Sequence, residues 1–421
     1  MTVRSVRSVS TPPDAVVPVP GSKSIANRAL VCAALARGRS ELANVPDGDD
    51  TIAMLTCLEA LGLETALVGD RVSIVGIGTD WTPEAHTLHA ALAGTTSRFV
   101  SALAALGSGP VTIDGHPPLR RRPFGPLHDA LAQLGVRVLP GELPGNLPVT
   151  IQGPPAGGRV EIRGDVSSQF VTALMLIGPY LPGGLELRLT SELVSRPYVE
   201  LTAAVMTWFG IEGVAMGDDL VVVEPGEYRP TDLFVEPDAS SASYPLAIAA
   251  VTGGRVTVEG LGSDALQGDA AFADLLGEMG CRVERTDRSV TVTGTGPLRG
   301  VDVDMADISD LVPTVAVVAA LATTPTRIRG VGFIRRKESD RLGDLAGELR
   351  QAGVDVDETD DGLAIRPSRP HGARLATYHD HRLAMSFAVL GTVVEGIEVE
   401  SPEVVSKSWP GFWSMLEALT S

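Results

Sequence analysis

Six short polar clusters stand out in this chain of 421 residues, and each directly precedes an apolar run rich in alanine and leucine. They are residues 21–24 with Arg28, residues 94–98, residues 167–169, Asp238 with Ser240 and Ser241, residues 307–310, and residues 379–382. Ser, Thr and Asp at such places are typical N-caps of helices. Lysine and arginine are not typical there, because a positive charge near a helix N-terminus opposes the macrodipole. A bound anion reverses that sign, so the cations among these clusters predict a phosphate or carboxylate site.

Lysine is the scarcest charged residue. Of 34 basic residues only Lys23, Lys337 and Lys407 are lysines, which leaves 34 − 3 = 31 arginines. Where arginine is used nearly everywhere, a retained ammonium group indicates a need for a compact point charge or a titratable donor. If residues 334–341 are helical, Lys337 and Arg341 lie four residues apart on one face, which is unfavourable without an anion between them. The lysines are therefore candidate site residues.

Several kinds of site and partner are disfavoured. Residues 21–24 lack the residue order of a P-loop. His379 and His381 are accompanied by no third ligand cluster, so we expect no metal, and no cofactor motif is present. The formal charge is 34 − 52 = −18, which repels polyanions, so nucleic acid is not an expected partner.

The cysteines and the apolar runs indicate a cytoplasmic protein. Cys32, Cys57 and Cys281 lie in apolar segments without the spacing of a disulfide framework or a zinc site. No run reaches the eighteen uninterrupted apolar residues of a membrane span, and residues 1–20 lack a signal-peptide core. We expect no membrane association and a monomer in the cytoplasm.

The six apolar runs belong to a repeat. They end at Gly38, Gly109, Gly184, Gly254, Pro325 and Gly396, in steps of 70 to 75 residues. A second helical series closes on Gly62, Gly135, Gly210, Gly280 and Gly353, each followed by alternating residues typical of a hairpin. Glycine after the last helical turn predicts a left-handed cap. Each unit of sequence is therefore about βαβαββ, with a first helix that is apolar nearly all round and buried, and a second that lies nearer the surface.

Six repeats divide naturally into three and three. The chain crosses between halves near residues 230–237 and again near residues 18–21, where prolines cluster. We therefore predict an α/β protein of two domains, each made of three βαβαββ repeats packed around buried helices. One domain is residues 21–235, and the other joins residues 1–20 to residues 236–421.

Nine motifs in chain order resemble those of the 5-enolpyruvylshikimate-3-phosphate (EPSP) synthase family. They are GSKSxxxR at 21–28, AGTxxR at 93–98, RRP at 121–123, SSQF at 167–170, SRPY at 195–198, DASSASY at 238–244, RxKExDR at 335–341, DHRxAM at 380–385 and Lys407 in KSWP. The resemblance spans essentially the whole chain. It implies the enolpyruvyl transferase fold, an inverse α/β barrel of two domains, with the active site in the cleft between them.

The resemblance also implies a reaction. The enolpyruvyl group moves from phosphoenolpyruvate to the 5-hydroxyl of shikimate 3-phosphate and phosphate is released, a step toward chorismate and the aromatic amino acids. Both substrates are small anions. Asp310 matches the family's base, and Glu338 with Lys23 match the proton donors.

The binding residues follow from the same match. Residues matching the shikimate 3-phosphate site are Lys23, Ser24, Arg28, Ser167, Ser168, Ser195, Tyr198, Asp310 and Lys337. Residues matching the phosphoenolpyruvate site are Lys23, Gly94, Arg122, Gln169, Arg341, Arg382 and Lys407. Leu92 and Phe333 depart from the family pattern, which commonly has Asn at both positions, and we expect activity with altered substrate affinity.

Three alternatives remain open from the sequence. The sister enolpyruvyl transferase that acts on UDP-N-acetylglucosamine shares the repeat fold but typically uses a reactive cysteine in a mobile loop. RNA 3'-phosphate cyclase uses related units but needs a nucleic-acid surface. A catalytically inert repeat scaffold is the third.

Overall fold

The computed structural model of the chain describes residues 2–79 and 87–421, and two compact units are present. The continuous unit is Gly21–Val235, and the split unit joins Met1–Pro20 to Glu236–Ser421. Each unit has its own buried apolar core.

Within the described residues the strands are short. They are β1 Val3–Ser5, β2 Asp14–Val16, β3 Gly38–Ala43, β4 Glu64–Val68, β5 Arg71–Gly76, β6 Thr87–His89, β7 Val111–Asp114, β8 Arg137–Pro140, β9 Val149–Gln152, β10 Arg159–Ile162, β11 Leu185–Leu189, β12 Val214–Met216, β13 Leu220–Val223, β14 Leu233–Phe234, β15 Arg255–Glu259, β16 Arg282–Arg285, β17 Ser289–Thr293, β18 Asp302–Asp304, β19 Thr326–Arg329, β20 Asp355–Thr359, β21 Gly362–Arg366, β22 Arg374–Leu375 and β23 Glu398–Glu400.

The helices alternate with these strands. They are α1 Lys23–Leu35, α2 Asp49–Ala60, α3 Gly94–Ala105, α4 Pro117–Arg120, α5 Gly125–Gln133, α6 Ser168–Ile177, α7 Arg196–Trp208, α8 Ala239–Thr252, α9 Phe272–Glu278, α10 Val312–Ala319, α11 Gly343–Gln351, α12 His381–Gly391 and α13 Phe412–Thr420. Short 3₁₀ segments cover Gly178–Tyr180, Gly268–Ala271, Ser309–Leu311, Gly332–Arg336 and Pro402–Lys407.

The continuous unit contains three four-stranded sheets of one design. Their strand orders are β14-β3-β5-β4, β6-β7-β9-β8 and β10-β11-β13-β12. In each sheet the first pairing is parallel and the other two are antiparallel. The first repeat takes its leading strand, β14, from the far end of the unit, where Leu233 pairs with Leu42. With that strand counted, the unit is three βαβαββ repeats.

The split unit follows the same design twice and departs from it once. Its four-stranded sheets have the orders β2-β15-β17-β16 and β18-β19-β21-β20, and β2 from the amino-terminal segment leads the first of them. The third sheet has three strands, in the order β1-β23-β22. After β23 the chain forms a 3₁₀ segment and α13 instead of a hairpin. Strand β1 completes the edge by pairing antiparallel with β23, so the sixth repeat is not the predicted βαβαββ.

The first helix of each repeat lies in the core, as predicted. All 11 residues of α12 and 12 of the 14 residues of α8 are buried. In the second helices the share is lower, at 7 of 12 in α2 and 4 of 9 in α11. A helix that is apolar on every side must be covered on every side, which the sheets and neighbouring helices achieve. The amino-terminal turns of these buried helices and the residues directly before them carry half of the predicted site residues.

The glycines that end the second helices adopt the predicted left-handed backbone. Their φ angles are 93° at Gly62, 87° at Gly135, 91° at Gly210, 112° at Gly280 and 80° at Gly353. A Cβ is costly in this region, so glycine is the residue that turns the helix into the following hairpin.

Candidate active site

In the split unit a single carboxylate gathers three cations. The Asp310 Oδ1 atom lies 2.5 Å from Lys337 Nζ and 2.8 Å from Arg341 Nη1, and its Oδ2 atom lies 2.7 Å from Arg382 Nη2. Asp310 is in the 3₁₀ segment that leads into α10. The cations come from the loop before α11 and from the first turn of α12. The structure thus brings together four residues that the sequence assigned to the site.

The charges around Asp310 govern its protonation. Burial on its own would raise the pKa of this carboxyl, but Arg382, Lys337 and Arg341 outweigh burial and hold the pKa well below its ordinary value. For Lys337 the effect of burial on the pKa exceeds the effect of the neighbouring opposite charge. Burial, helped by the charge of Arg341, lowers the pKa of its ammonium group despite the contact with Asp310. The site therefore holds an ionised carboxylate beside an ammonium group that gives up its proton more readily than an exposed lysine.

Arg341 connects the acidic residues of this cluster. Its side chain is 1% exposed. Its Nε and Nη2 atoms lie 2.6 and 3.2 Å from the two carboxylate oxygens of Asp380, and Nη2 also lies 2.8 Å from Glu338 Oε2. Glu338 is thus ion-paired. Asp340, the acidic residue between Glu338 and Arg341, binds Arg335 and the N–H groups of Leu342 and Gly343.

Residues 334–341 do not form the helix on which the Lys337 and Arg341 pairing depended. A 3₁₀ segment ends at Arg336, and Lys337 has φ −85° and ψ −135°. The two cations nevertheless converge, because both bind Asp310 Oδ1. The like-charge contact is therefore offset by a carboxylate of the protein.

Phe333 replaces the family's asparagine with an aromatic contact. Lys337 Nζ lies 5.6 Å from the centroid of its ring, within the range of a cation–π interaction. The ring face of Phe333 thus contributes to the surroundings of the Lys337 ammonium group.

In the continuous unit, α1 begins at Lys23, Arg28 lies in its second turn, and Ser22 caps the helix by accepting from the N–H of Ile25. Lys23 Nζ lies 3.0 Å from Asp50 Oδ2, at the start of α2. Arg28 is 2% exposed, and burial lowers its pKa to about 10. Its guanidinium donates to the carbonyls of Ser24 and Tyr198, at 2.7 and 2.9 Å.

These contacts of Arg28 join the start of α1 to α7. It donates also to the hydroxyls of Thr202 and Thr172, at 2.8 and 3.3 Å. The two segments that it joins contain Ser24 and Tyr198, both assigned to shikimate 3-phosphate. Arg28 therefore holds two predicted binding segments together, in addition to any contact with substrate.

The other three predicted serines lie at the starts of α6 and α7, which pack together. Ser167 caps α6 by accepting from the N–H of Gln169 at 3.3 Å, and Ser168 is 7% exposed. Ser195 precedes α7 with φ 54°. A non-glycine residue in this conformation requires support from its surroundings, a feature that recurs at functional sites.

Gly94 marks a close approach of two guanidinium groups. A Cβ at this position would lie 2.4 Å from Arg122 Nη1 and 2.8 Å from Arg98 Nη1. Arg98 donates to Gln169 Oε1 at 2.6 Å and stacks between the rings of Phe124 and Phe170, at 5.0 and 5.2 Å. Three residues assigned to phosphoenolpyruvate, Gly94, Arg122 and Gln169, are thus brought together around Arg98.

Lys407, also assigned to phosphoenolpyruvate, is 6% exposed at the end of the 3₁₀ segment Pro402–Lys407. This segment packs against α12, the helix that carries Arg382.

The assignment by sequence missed several residues of these clusters. Arg98 and Asp380 belong to the motifs at 93–98 and 380–385, but the resemblance assigns neither a role. Asp50, Asp269 and Glu348 lay outside them. Asp269 is 2% exposed, and burial, with the charge of Asp310 next in size, raises its pKa to about 6. For Asp269 the sequence offers one signal, an acidic residue beside an apolar run, whereas Asp50 and Glu348 lie among other charged residues and offer none.

Two further observations bear on what the protein binds. Among residues 2–79 and 87–421, no group of three or more His, Cys, Asp or Glu side chains is arranged to hold a metal ion. In the same described part of the chain, no helix has the length and apolar character that crossing a membrane requires.

The fold places the chain with a known class. An EPSP synthase from Acinetobacter baumannii superposes with a TM-score of 0.84 at 24% identity, covering 99% of this chain and 98% of that one. The enolpyruvyl transferase NikO from Streptomyces tendae superposes with a TM-score of 0.79 at 20% identity, covering 99% and 97%. The chain therefore has the enolpyruvyl transferase fold, and the predicted fold class is confirmed.

Sequence comparison identifies the family. The sequence model of EPSP synthase (3-phosphoshikimate 1-carboxyvinyltransferase) matches residues 9–416. A 3-phosphoshikimate 1-carboxyvinyltransferase from Methanoculleus marisnigri is 43% identical over 411 residues, 97% of each chain, and one from Nostoc punctiforme is 40% identical over 420 residues, 98% of this chain and 99% of that one. The chain belongs to the EPSP synthase family.

Proposed function

We propose that the protein transfers the enolpyruvyl group of phosphoenolpyruvate to the 5-hydroxyl of shikimate 3-phosphate and releases phosphate. Its membership of the family carries this proposal. The cluster of Lys337, Arg341 and Arg382 around Asp310 supports it, because two anionic substrates need this concentration of fixed positive charge.

The substrate residues come from both units, and we propose that the two units act on one pair of substrates in the cleft between them. The shikimate 3-phosphate set is Lys23, Ser24, Arg28, Ser167, Ser168, Ser195 and Tyr198 of the continuous unit with Asp310 and Lys337 of the split unit. The phosphoenolpyruvate set is Lys23, Gly94, Arg122 and Gln169 with Arg341, Arg382 and Lys407. We propose further that the protein acts as a cytoplasmic monomer, without cofactor, metal or nucleic acid.

The reaction needs a base for the 5-hydroxyl proton and an acid for the methylene carbon of phosphoenolpyruvate. We assign the base to Asp310 and the acid to Glu338 or Lys23. The hydroxyl oxygen bonds to C2 as the methylene carbon gains its proton. A proton then leaves the new methyl group as the C–O bond to phosphate breaks, which restores the double bond.

The low pKa of Asp310 makes it a weak base as long as its three cations bind no other anion. Substrate phosphate and carboxylate groups would share those cations, and the pKa of Asp310 would rise toward the value that a base requires. In this proposal substrate binding itself activates the base.

Release of phosphate from the two substrates together is the direct test. We expect turnover with shikimate 3-phosphate and none with UDP-N-acetylglucosamine in its place. The buried cysteines support that choice: burial raises the pKa of Cys57 to about 12 and that of Cys281 to about 11, and Cys32 is shifted upward still further, so none is a reactive thiolate.

Asp310→Asn should lower kcat by about 10² to 10⁴, the usual contribution of a general base. Asp302→Asn is the matched control, because it makes the same change in an exposed ion pair with Arg329. No phosphate release by the unaltered protein would refute the proposed function and favour an inert scaffold. Full activity of Asp310→Asn would refute only the assignment of the base.

A further inference from the structure

Helix α11 carries two carboxylates one turn apart that bind two different site segments. The Asp344 Oδ2 atom accepts a hydrogen bond from the N–H of Asp340 at 2.9 Å. The Glu348 Oε2 atom accepts from the N–H of Ala376 at 2.9 Å, and its Oε1 atom accepts from the Tyr378 hydroxyl at 2.7 Å. One segment contains Lys337 and Arg341, and the other leads into Arg382. A single helix thus sets the positions of both.

The buried Glu348 carboxylate is stabilised by these two hydrogen bonds. The residue is 6% exposed, and a charge in this environment is costly unless it is hydrogen-bonded. Both of its donors come from the three residues 376–378. The same contact with Glu348 is the main reason that the pKa of Tyr378 rises to about 12, since a carboxylate opposes ionisation of the phenol.

The segment that Glu348 holds is a strained turn. Tyr378 and His379 have φ angles of 52° and 61°, which side chains other than glycine rarely adopt. Each such residue persists only where the surroundings impose it, and here two follow one another. The N–H of Asp380 donates to the carbonyl of Thr377 at 2.7 Å and closes the turn. Glu348 is bonded to Ala376, directly before this closure, and to Tyr378, inside it.

The turn places Asp380 beside Arg341 and at the start of α12. Asp380 is fully buried, and its Oδ1 atom accepts from the N–H of Arg382 at 2.9 Å, which caps α12. Its Oδ2 atom binds Arg341 Nε at 2.6 Å and the Ser339 hydroxyl at 3.0 Å. A shift of the turn therefore moves the partner of Arg341 and the start of the helix that carries Arg382.

We propose that Glu348, through Tyr378 and the turn 376–380, is a positioning residue for the phosphoenolpyruvate site. This inference rests on the proposed function for the identity of the substrate. Arg341 and Arg382 both belong to the phosphoenolpyruvate set, whereas most of the shikimate 3-phosphate set lies in the continuous unit. Loss of the Glu348 contacts should therefore weaken use of one substrate more than the other.

Two variants test the proposal in the full chain. Tyr378→Phe removes one hydroxyl, and Glu348→Gln keeps an acceptor for Ala376 but loses the charge. Loss of one hydrogen bond to a carboxylate predicts a rise in KM for phosphoenolpyruvate of about tenfold, which equals about 1.4 kcal/mol. We expect KM for shikimate 3-phosphate to change less than about twofold, and the double variant to resemble the worse single variant, as coupled residues do.

Glu398→Gln is the matched control. It makes the same substitution in the same unit and breaks a 3.0 Å contact with Arg374 on β22, directly before the turn. Its KM values should not change. The proposal is overturned if Tyr378→Phe and Glu348→Gln behave like this control, or if both KM values rise together with a fall in melting temperature, which is the signature of a merely structural contact.

Crystal structures of the variants give a readout that does not depend on turnover. The contact of 2.7 Å between Arg382 Nη2 and Asp310 Oδ2 should be lost or lengthened in Glu348→Gln and kept in Glu398→Gln. An unchanged contact in Glu348→Gln refutes the positioning role. If the unaltered protein lacks turnover, the proposed function fails while this measurement still decides the role of Glu348.

Discussion

Two neighbouring carboxylates of the split unit sit in opposite electrostatic environments. The cations around Asp310 outweigh its burial and lower its pKa, whereas burial dominates at Asp269 and raises its pKa to about 6. The charges of Asp310 and Arg382 also act on the pKa of Asp269, and its carboxylate accepts a hydrogen bond from the Ser240 hydroxyl. Environments that separate the pKa values of nearby acids are typical of sites that move protons.

Asp269→Asn should stabilise the protein at neutral pH. The folded-state pKa lies above the ordinary value of 3.8, so the folded state binds the extra proton and stability falls as pH rises from about 4 to 6. Removing the charge should raise the free energy of unfolding by roughly 2 kcal/mol at pH 8 and leave it nearly unchanged at pH 4.

Chemical denaturation of the Asp269→Asn protein at both pH values measures this difference. Asp274→Asn, which alters an exposed carboxylate paired with Arg285, is the control and should change stability little at either pH. An equal effect of Asp269→Asn at pH 4 and pH 8 would contradict the argument.

Gly94→Ala should weaken the use of phosphoenolpyruvate. The added Cβ would lie 2.4 Å from Arg122 Nη1, so the guanidinium must move. We expect KM for phosphoenolpyruvate to rise about tenfold or more, equivalent to about 1.4 kcal/mol, with a smaller change for shikimate 3-phosphate. Gly347→Ala is the control, since a Cβ there meets nothing within 4 Å. Steady-state kinetics that show no shift for Gly94→Ala would mean that Arg122 does not serve this substrate.

At the scale of single residues, motifs predicted the members of the cluster but not their partners. Asp310, Lys337, Arg341 and Arg382 were all assigned from sequence, and they meet in one place. Glu348 could not be assigned, because its role depends on a contact across 30 residues of chain with Tyr378. Such contacts arise from the packing of α11 and leave no local pattern.

Among the helices, α5 carries a buried histidine that gives the continuous unit a weakness in acid. His128 is 5% exposed, stacks on Phe124, and neither ring nitrogen has a hydrogen-bond partner. Burial lowers its pKa to about 4. Since the unfolded chain takes up the proton near pH 6.5 and the folded chain only near pH 4, stability is lost as pH falls through that window.

His128→Phe should remove this loss while keeping the stacked shape. His128 alone should make the free energy of unfolding of the unaltered protein about 2 kcal/mol lower at pH 5 than at pH 7. The variant should lack that share of the pH dependence. His116→Phe, an exposed histidine of the same unit, should leave the dependence as it was. Identical slopes for the unaltered protein and His128→Phe would refute the assignment.

The elements themselves were predictable where the repeat is regular. Periodic apolar runs and the glycines at 62, 135, 210, 280 and 353 located the buried helices and the hairpins, because both follow from local patterns of burial and backbone conformation. The last repeat was not predictable. Strand β1 pairs with β23 across nearly the whole chain, and pairing at that distance leaves no sign in the local sequence.

At the scale of the whole molecule, a net charge of −18 coexists with a set of substrate residues that is strongly cationic. Lys23, Arg28 and Arg122 belong to the continuous unit, and Lys337, Arg341, Arg382 and Lys407 to the split unit. If both groups serve the same two substrates, as proposed, the positive charge that their paired carboxylates leave uncompensated opposes close approach until anions are bound. Binding both substrates should therefore favour a more compact arrangement of the units.

Small-angle scattering should show a smaller radius of gyration with both substrates than with either alone. The difference between the ligand states should shrink at 1 M salt, where the Debye length falls to about 3 Å and the repulsion is screened in every state. Arg382→Gln should reduce the compaction, because one of the charges that the anions neutralise is gone. Arg366→Gln, which alters an exposed arginine paired with Asp355 and Asp357, should not. A radius that is the same in all ligand states would show that charge repulsion does not separate the units, and that the anions bind a site already formed.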